Sequence, residues 1–302
     1  MKKLLSLATL FILAVSILAG CSGGDSTTGS GAAGGSATAG SFDSTKEITV
    51  ISREASSGTR GAFDELMGLI EKSGESEVNK LFSEAVIASS TDEVPAKVEV
   101  DKYAIGYTSI GAVNDSVKAL KVDGVAATEE NVKNGTYKVS RPFIIASKGE
   151  ASEIAADFIK YITSTQGQEV VASEGYVTID DAKEYTAPSA ALSGKLTLSG
   201  STSTEKVIEK LREEYVKLNP GVNIEVTYNG SGAGIKDAQE GKSELALSSR
   251  ELKEEEKAAL TPTVFANDGI AVIVNKDNTV DELTTEQIKK IFTGEARTWD
   301  KV

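Results

Sequence analysis

Three times along this chain a β-rich run ends in a turn of glycine, serine and threonine and then gives way to a helical pattern. Ile48–Ser52 runs into Arg53-Glu54-Ala55-Ser56-Ser57-Gly58-Thr59-Arg60-Gly61. Lys195–Leu198 runs into Ser199-Gly200-Ser201-Thr202-Ser203-Thr204, and Val222–Tyr228 runs into Asn229-Gly230-Ser231-Gly232-Ala233-Gly234. Strands alternating with helices in this way predict an α/β fold, because each helix must bury its apolar stripe against a sheet. Gly269–Val274 reads as a fourth strand. The clearest helix is Thr204–Leu218, with Val207, Ile208, Leu211, Tyr215 and Leu218 on one stripe and Asn219-Pro220-Gly221 as its stop. Further helices are expected over Thr59–Glu71, Ala151–Ser164 and Thr285–Phe292, and a short one from Ile235.

The turns share a chemistry as well as a shape. A helix start leaves four backbone N–H groups unpaired and carries partial positive charge. Glycine admits a ligand close to the backbone, and serine or threonine hydroxyls add donors. Together they form a site for a tetrahedral oxyanion, to which Arg53 would add a two-pronged cation. Each turn alone reads better as an ordinary N-cap or an ordinary glycine turn, and only the three together point to an anion. None carries the Gly-Lys-Ser/Thr of a nucleotide P-loop.

Composition narrows the field. The 302 residues include no histidine, which excludes Ser-His and Cys-His triads, histidine-ligated zinc and histidine general bases. Neither a metal nor a cofactor is expected. The formal charge of −13 argues against nucleic acid as a partner and means that any anion must be held by local donors.

The first 45 residues read as targeting and tether. Lys2 and Lys3 precede an uncharged apolar run, Leu4–Ala19, and Leu18-Ala19-Gly20-Cys21 has the form of a lipobox. Residues 1–20 are therefore expected to be a signal peptide, and Cys21, the single cysteine, the lipidated residue; an uncleaved anchor is the alternative. Residues 21–45 continue as a Gly/Ser/Thr/Ala tether with a reach of roughly 27 Å. This places the folded body at the outer face of a cell membrane, held by lipid.

Read together, Ile48–Glu54, Ser57-Gly58-Thr59-Arg60-Gly61, Tyr103-Ala104-Ile105-Gly106-Tyr107 and Ser140-Arg141-Pro142-Phe143 resemble a known family. So do Gly167-Gln168-Glu169 with Gly175-Tyr176, Gly200-Ser201-Thr202-Ser203, Ser231-Gly232-Ala233-Gly234, Ser248-Ser249-Arg250-Glu251-Leu252 and Asp268–Asn275. The family is that of the phosphate-binding proteins serving high-affinity phosphate ABC transporters. The resemblance implies a two-lobed periplasmic-binding-protein-like fold of class II, each lobe a sheet flanked by helices. It also implies a monomer that delivers inorganic phosphate to the permease subunits of the transporter, and no enzymatic activity. The halves stand in the opposite order from the family's, as in a circular permutation joined through Asp180–Ser193. One lobe would then be split, 46–141 plus 276–302, and the other continuous, 142–275, with crossings near Arg141 and Asn275.

Carried over by position, the family's phosphate contacts fall on Arg53, Ser57, Gly58 and Thr59 in the split lobe. In the continuous lobe they fall on Thr202, Ser203, Ser231 and Ser249. Some members have an aspartate where Ser249 stands, accepting a proton from the ligand; here Asp268 or Glu54 would have to substitute, or serve structure alone. Arg250 would be a second cationic contact or the partner of a nearby acid. Sulfate or molybdate binding, and a phosphate-sensing receptor, remain as alternatives. A more distant one is a serine acyl-transfer enzyme, from Ser203-Thr204-Glu205-Lys206 and Lys72-Ser73-Gly74.

Overall fold

The computed structural model describes residues 41–73 and 76–302. The signal peptide, Cys21 and most of the tether lie outside the described residues, as does Gly74 of the Lys72-Ser73-Gly74 element. From Phe42 to Val302 the chain forms one compact unit.

A mixed sheet runs through this unit. Its path is Gly221–Tyr228, Ser193–Gly200, Leu245–Ser248, Ser140–Ser147, Thr261–Asn275, Ala104–Ser109, Thr49–Arg53 and Val86–Ala88, with Val117–Ala119 paired to the far half of the long strand. The central strands are buried on both faces, so they read as unbroken apolar runs rather than as alternating ones. Phe143 and Ile145 point into one core and Ile144 and Ala146 into another, across the same strand. Val50 and Ile51 divide in the same way between two further cores.

Thr261–Asn275 is the longest strand and joins the two halves of the sheet. Thr261–Gly269 pairs antiparallel with Ser140–Ser147, and Ile270–Val274 pairs with Ile105–Ser109. Ile270, Val272 and Val274 accordingly share a core with Val50, Phe63 and Tyr107, whereas Phe265 and Ala266 share one with Phe143 and Leu198. The change of partner thus falls at Gly269–Ile270, before the expected crossing near Asn275. The reason is that alternation along a strand buried on both faces does not mark where its neighbours change. On the companion strand the change lies between Val139 and Phe143.

Most expected elements form close to their predicted limits. The amphipathic helix spans Glu205–Leu218, preceded by a short 3-10 turn at Thr202–Thr204. Helices Glu153–Ile162 and Thr285–Thr293 are capped by Ser152 and Thr284, whose hydroxyls accept the N–H of Ala155 and Gln287. Two limits differ. The helix expected over Thr59–Glu71 spans Gly58–Leu66, and Gly68, at φ +64°, turns the chain into a strand at Ile70–Ser73. The helix expected from Ile235 begins one turn earlier, at Ser231, directly on the third turn.

Candidate anion site

The three small-residue turns meet. Gly230, at φ +94°, opens the helix Ser231–Glu240, and Gly234 on that helix packs against the second turn. A Cβ on Gly234 would stand 2.3 Å from the Gly200 Cα and the Ser199 carbonyl, an approach that only glycine permits. The first turn closes on the third through the Gly232 N–H, which donates to the Ser56 carbonyl at 2.9 Å. Two helix starts, Gly58 and Ser231, thereby face each other. A Cβ on Gly58 would lie 2.2 Å from Ser231 Oγ and 2.7 Å from Ser249 Oγ.

Between these starts lies a buried cluster of hydroxyls. Thr59 Oγ1 and Ser203 Oγ are 2.7 Å apart, and Thr91 Oγ1 is 3.0 Å from Ser203 Oγ and 2.9 Å from Thr202 Oγ1. Ser201 Oγ donates to Ser249 Oγ at 2.8 Å, and the Ser249 N–H donates to Ser231 Oγ at 3.1 Å. Ser57 is the cap of the first helix, its hydroxyl accepting from the Arg60 N–H. Thr59, Ser231 and Ser249 are all at least 99% removed from solvent, so each hydroxyl must be paired within the cluster or by a ligand.

Two guanidinium groups feed this cluster. Arg53, 1% exposed, donates to Thr91 Oγ1 and Thr202 Oγ1 at 3.1 and 3.0 Å and pairs with Glu54 through two further bonds. The Arg60 guanidinium donates to the Arg53 carbonyl and so ties the first turn to its helix. Arg141 donates through Nη1 to Thr59 Oγ1 at 2.8 Å and to the Ser249 carbonyl at 3.0 Å. Its Nη2 and Nε donate to Asp268 Oδ2 at 2.7 and 3.2 Å. Asp268 is fully buried and also accepts from the Ser109 hydroxyl. Burial pushes its carboxyl up, against the pull of Arg141 and Ser109. Burial lowers the Arg141 guanidinium too, against the pull of Asp268, and the two groups lie 2.7 Å apart.

Arg53, Gly58, Thr59, Thr202, Ser203, Ser231 and Ser249 are thus brought to one place, with Ser57 as the helix cap beneath them. Arg250 is turned away, forked onto both carboxylate oxygens of Glu256 at 2.7 and 2.8 Å. Asp268 is held by Arg141 and Glu54 by Arg53, so neither carboxylate is free toward the hydroxyls. Lys206 pairs with Glu174 at 3.3 Å rather than with Ser203.

Thr91 and Arg141 are absent from the residues expected at the site. Thr91 follows Ser89-Ser90, after a strand of only three residues, too short to give a pattern. The Ser140-Arg141-Pro142-Phe143 motif contains Arg141, but within a strand rather than a glycine-rich turn. Two surface hollows lie elsewhere: one of about 410 Å³ is lined by Ile110, Glu129, Glu174 and Lys206, and one of about 580 Å³ by Tyr161, Gln166, Lys210 and Leu218.

Residues 39–166 and 185–301 match the PBP superfamily domain. The chain is 42% identical to the phosphate-binding protein PstS 2 of Streptococcus agalactiae serotype V, over 99% of this chain and 97% of that protein. It is 44% identical to PstS 2 of Streptococcus pneumoniae serotype 4, over 84% of this chain and 87% of that one. Among solved structures, a phosphate-binding protein of a phosphate ABC transporter from Streptococcus pneumoniae superposes with a TM-score of 0.70 at 43% identity, covering 85% of this chain and 99% of that one. By these matches the chain belongs to the PBP superfamily and, within it, to the PstS family of phosphate-binding proteins.

Proposed function

We propose that the protein captures inorganic phosphate between the facing helix starts Gly58 and Ser231 and delivers it to the permease of an ABC transporter. The carrying observation is convergence. Hydroxyls from three separate turns and a buried strand end meet two guanidinium groups and two helix starts, and Glu54 and Asp268 beside them are both paired with guanidinium groups. Such a place suits a small, multiply charged anion. Helix starts and fixed donors replace its water without net protein charge, and every lost hydration bond needs a partner.

Mechanistically, the ligand takes over the contacts that the hydroxyls now make with one another. Arg53, Ser57, Gly58 and Thr59 belong to one half of the sheet, and Thr202, Ser203, Ser231 and Ser249 to the other. Separation of the two halves, with the expected bound at Asn275 moved to Gly269 so that the lobes are 46–141 with 270–302 and 142–269, would admit the ion, and closure would remove its water. The two strands that pass between the halves, at Ser140–Phe143 and Ala266–Ile270, would be the hinge. The remaining parts of the reading are a lipid anchor on Cys21 at the outer face of the cell membrane, a monomeric state, and binding without catalysis; the engagement of Lys206 by Glu174 supports the last.

One observation favours a second reading, binding of sulfate or another tetrahedral oxyanion. Ser249, Asp268 and Glu54 offer no free carboxylate to repel a fully deprotonated ligand. Titration calorimetry with phosphate, in the presence and absence of millimolar sulfate or molybdate, separates the two. Phosphate binding that survives the competitors is expected; equal displacement by sulfate would favour the alternative, and no phosphate binding would end the proposal.

A further inference from the structure

Arg141 occupies a position that the hydroxyl cluster alone does not explain. It stands on the strand Ser140–Ser147 where the chain passes from one half of the sheet to the other, and its register partner on the long strand is Asp268. Two of its nitrogens are spent on Asp268. The third points into the anion site, to Thr59 Oγ1 from one half and to the Ser249 carbonyl from the other.

A hydroxyl owns one proton, and a guanidinium can only donate. Thr59 Oγ1 therefore accepts from Arg141 and cannot return its proton there. Its other hydrogen-bond partner is Ser203 Oγ, across the site, in a pair where either hydroxyl can donate, so the Thr59 proton is left available for a partner on the site's side. A charged donor behind a hydroxyl also polarises it and strengthens the bond that it makes forward. Arg53 acts in the same way on Thr91 and Thr202.

We propose that Arg141, held in place by Asp268, is a positioning residue for anion binding that acts through Thr59, locking the Thr59 hydroxyl as a donor toward the ligand. The inference rests on the phosphate-binding reading above. Within it, Asp268 is the fixed counter-charge that keeps the Arg141 fork aimed at Thr59, rather than an acceptor for a proton of the ligand. The pair binds no ligand atom itself, yet it sets the polarity of a contact that does.

The test is a double-mutant cycle on the full chain, read by equilibrium dialysis with radiolabelled phosphate up to millimolar concentration. Arg141→Met with Asp268→Asn removes both buried charges at once, so that neither is left alone. The paired change is expected to raise the phosphate Kd about tenfold or more, the scale of a charge-assisted hydrogen bond. In a Thr59→Val background it should change Kd less than twofold, whereas in a Thr59→Ser background, which restores the hydroxyl, the loss should return. An unchanged Kd in the Thr59 protein, or the same loss with Thr59→Val as without it, overturns the proposal, since a purely structural role is indifferent to that hydroxyl. Should the paired variant fail to fold, Arg141→Lys keeps a cation against Asp268 but lacks the fork; undiminished phosphate affinity in that variant overturns the proposal equally. Wild-type protein that binds no phosphate defeats the underlying reading, whereas wild-type binding with insensitive variants defeats the role of Arg141 alone.

Discussion

Arg53 and Asp64 show how differently two buried charges are treated in this protein. Arg53 spends its guanidinium on Glu54, Thr91 and Thr202, and the last two line the anion site. Arg53→Ala is expected to weaken phosphate binding at least tenfold, from the loss of about 1.5–3 kcal/mol in charged hydrogen bonds, as calorimetry would show. Asp64, 1% exposed, has one carboxylate oxygen without a partner and the other bonded to Arg60 and Asn79. Burial raises its pKa above the ordinary 3.8. The folded form then holds the proton more tightly than the unfolded form, so Asp64 costs stability progressively as pH rises through its raised pKa. Asp64→Asn should therefore raise the melting temperature at neutral pH, with the gain shrinking as the pH falls toward 3.8 and below. A gain that persists undiminished in acid would show another cause. At this scale the sequence was informative where chemistry and turn coincide, as at Ser57-Gly58-Thr59. It did not mark Arg141 as a residue of the site, since a single arginine in a strand carries no local sign of the carboxylate that a distant strand will place opposite it.

The elements divide according to whether their signal is local. Glu205–Leu218 shows its apolar stripe and its stop in the chain itself, and the observed helix differs from the expected one by a single residue. The Gly58–Leu66 helix was expected to run five residues further. Its end is set by Gly68 and by the pairing of Ile70–Ser73 with Ser76–Asn79, whereas Leu69 and Ile70 in isolation extend a helical stripe. The glycines at the facing helix starts give the sharpest predictions here. A methyl at Gly58 would point at the Ser231 and Ser249 hydroxyls across the site. Gly58→Ala should thus lower phosphate affinity about tenfold or more through overpacking on closure, with little effect on the melting temperature of the ligand-free protein. A methyl at Gly234 would meet backbone atoms of Ser199 and Gly200 instead, within the half that holds the second and third turns. Gly234→Ala should cost about 1–3 kcal/mol of stability whether or not phosphate is present, as denaturant titration would measure. Reversal of these two patterns would mean that the site closes somewhere other than between Gly58 and Ser231.

For the whole molecule, the strand–helix alternation of the chain was enough to give an α/β architecture, and the recurring turns were enough to indicate an anion. What the chain order obscured is that residues about 145 positions apart, such as Thr59 and Ser203, become neighbours through a sheet whose strands are far from sequential. The exchange of partners at Gly269–Ile270 was hidden for the same reason, because both halves of Thr261–Asn275 are equally apolar. If one ion bridges the halves, it must stabilise the folded unit: phosphate at a hundred times its Kd should add about 2.7 kcal/mol. The central claim concerns where that ion sits. Crystals grown with arsenate, an anomalously scattering analogue of phosphate, would locate it directly. The account predicts a single strong peak within hydrogen-bonding distance of the Gly58 and Thr59 N–H groups and of the Thr202, Ser203, Ser231 and Ser249 hydroxyls. A peak in the hollow beside Ile110 and Lys206, or no peak between the two helix starts, would contradict it.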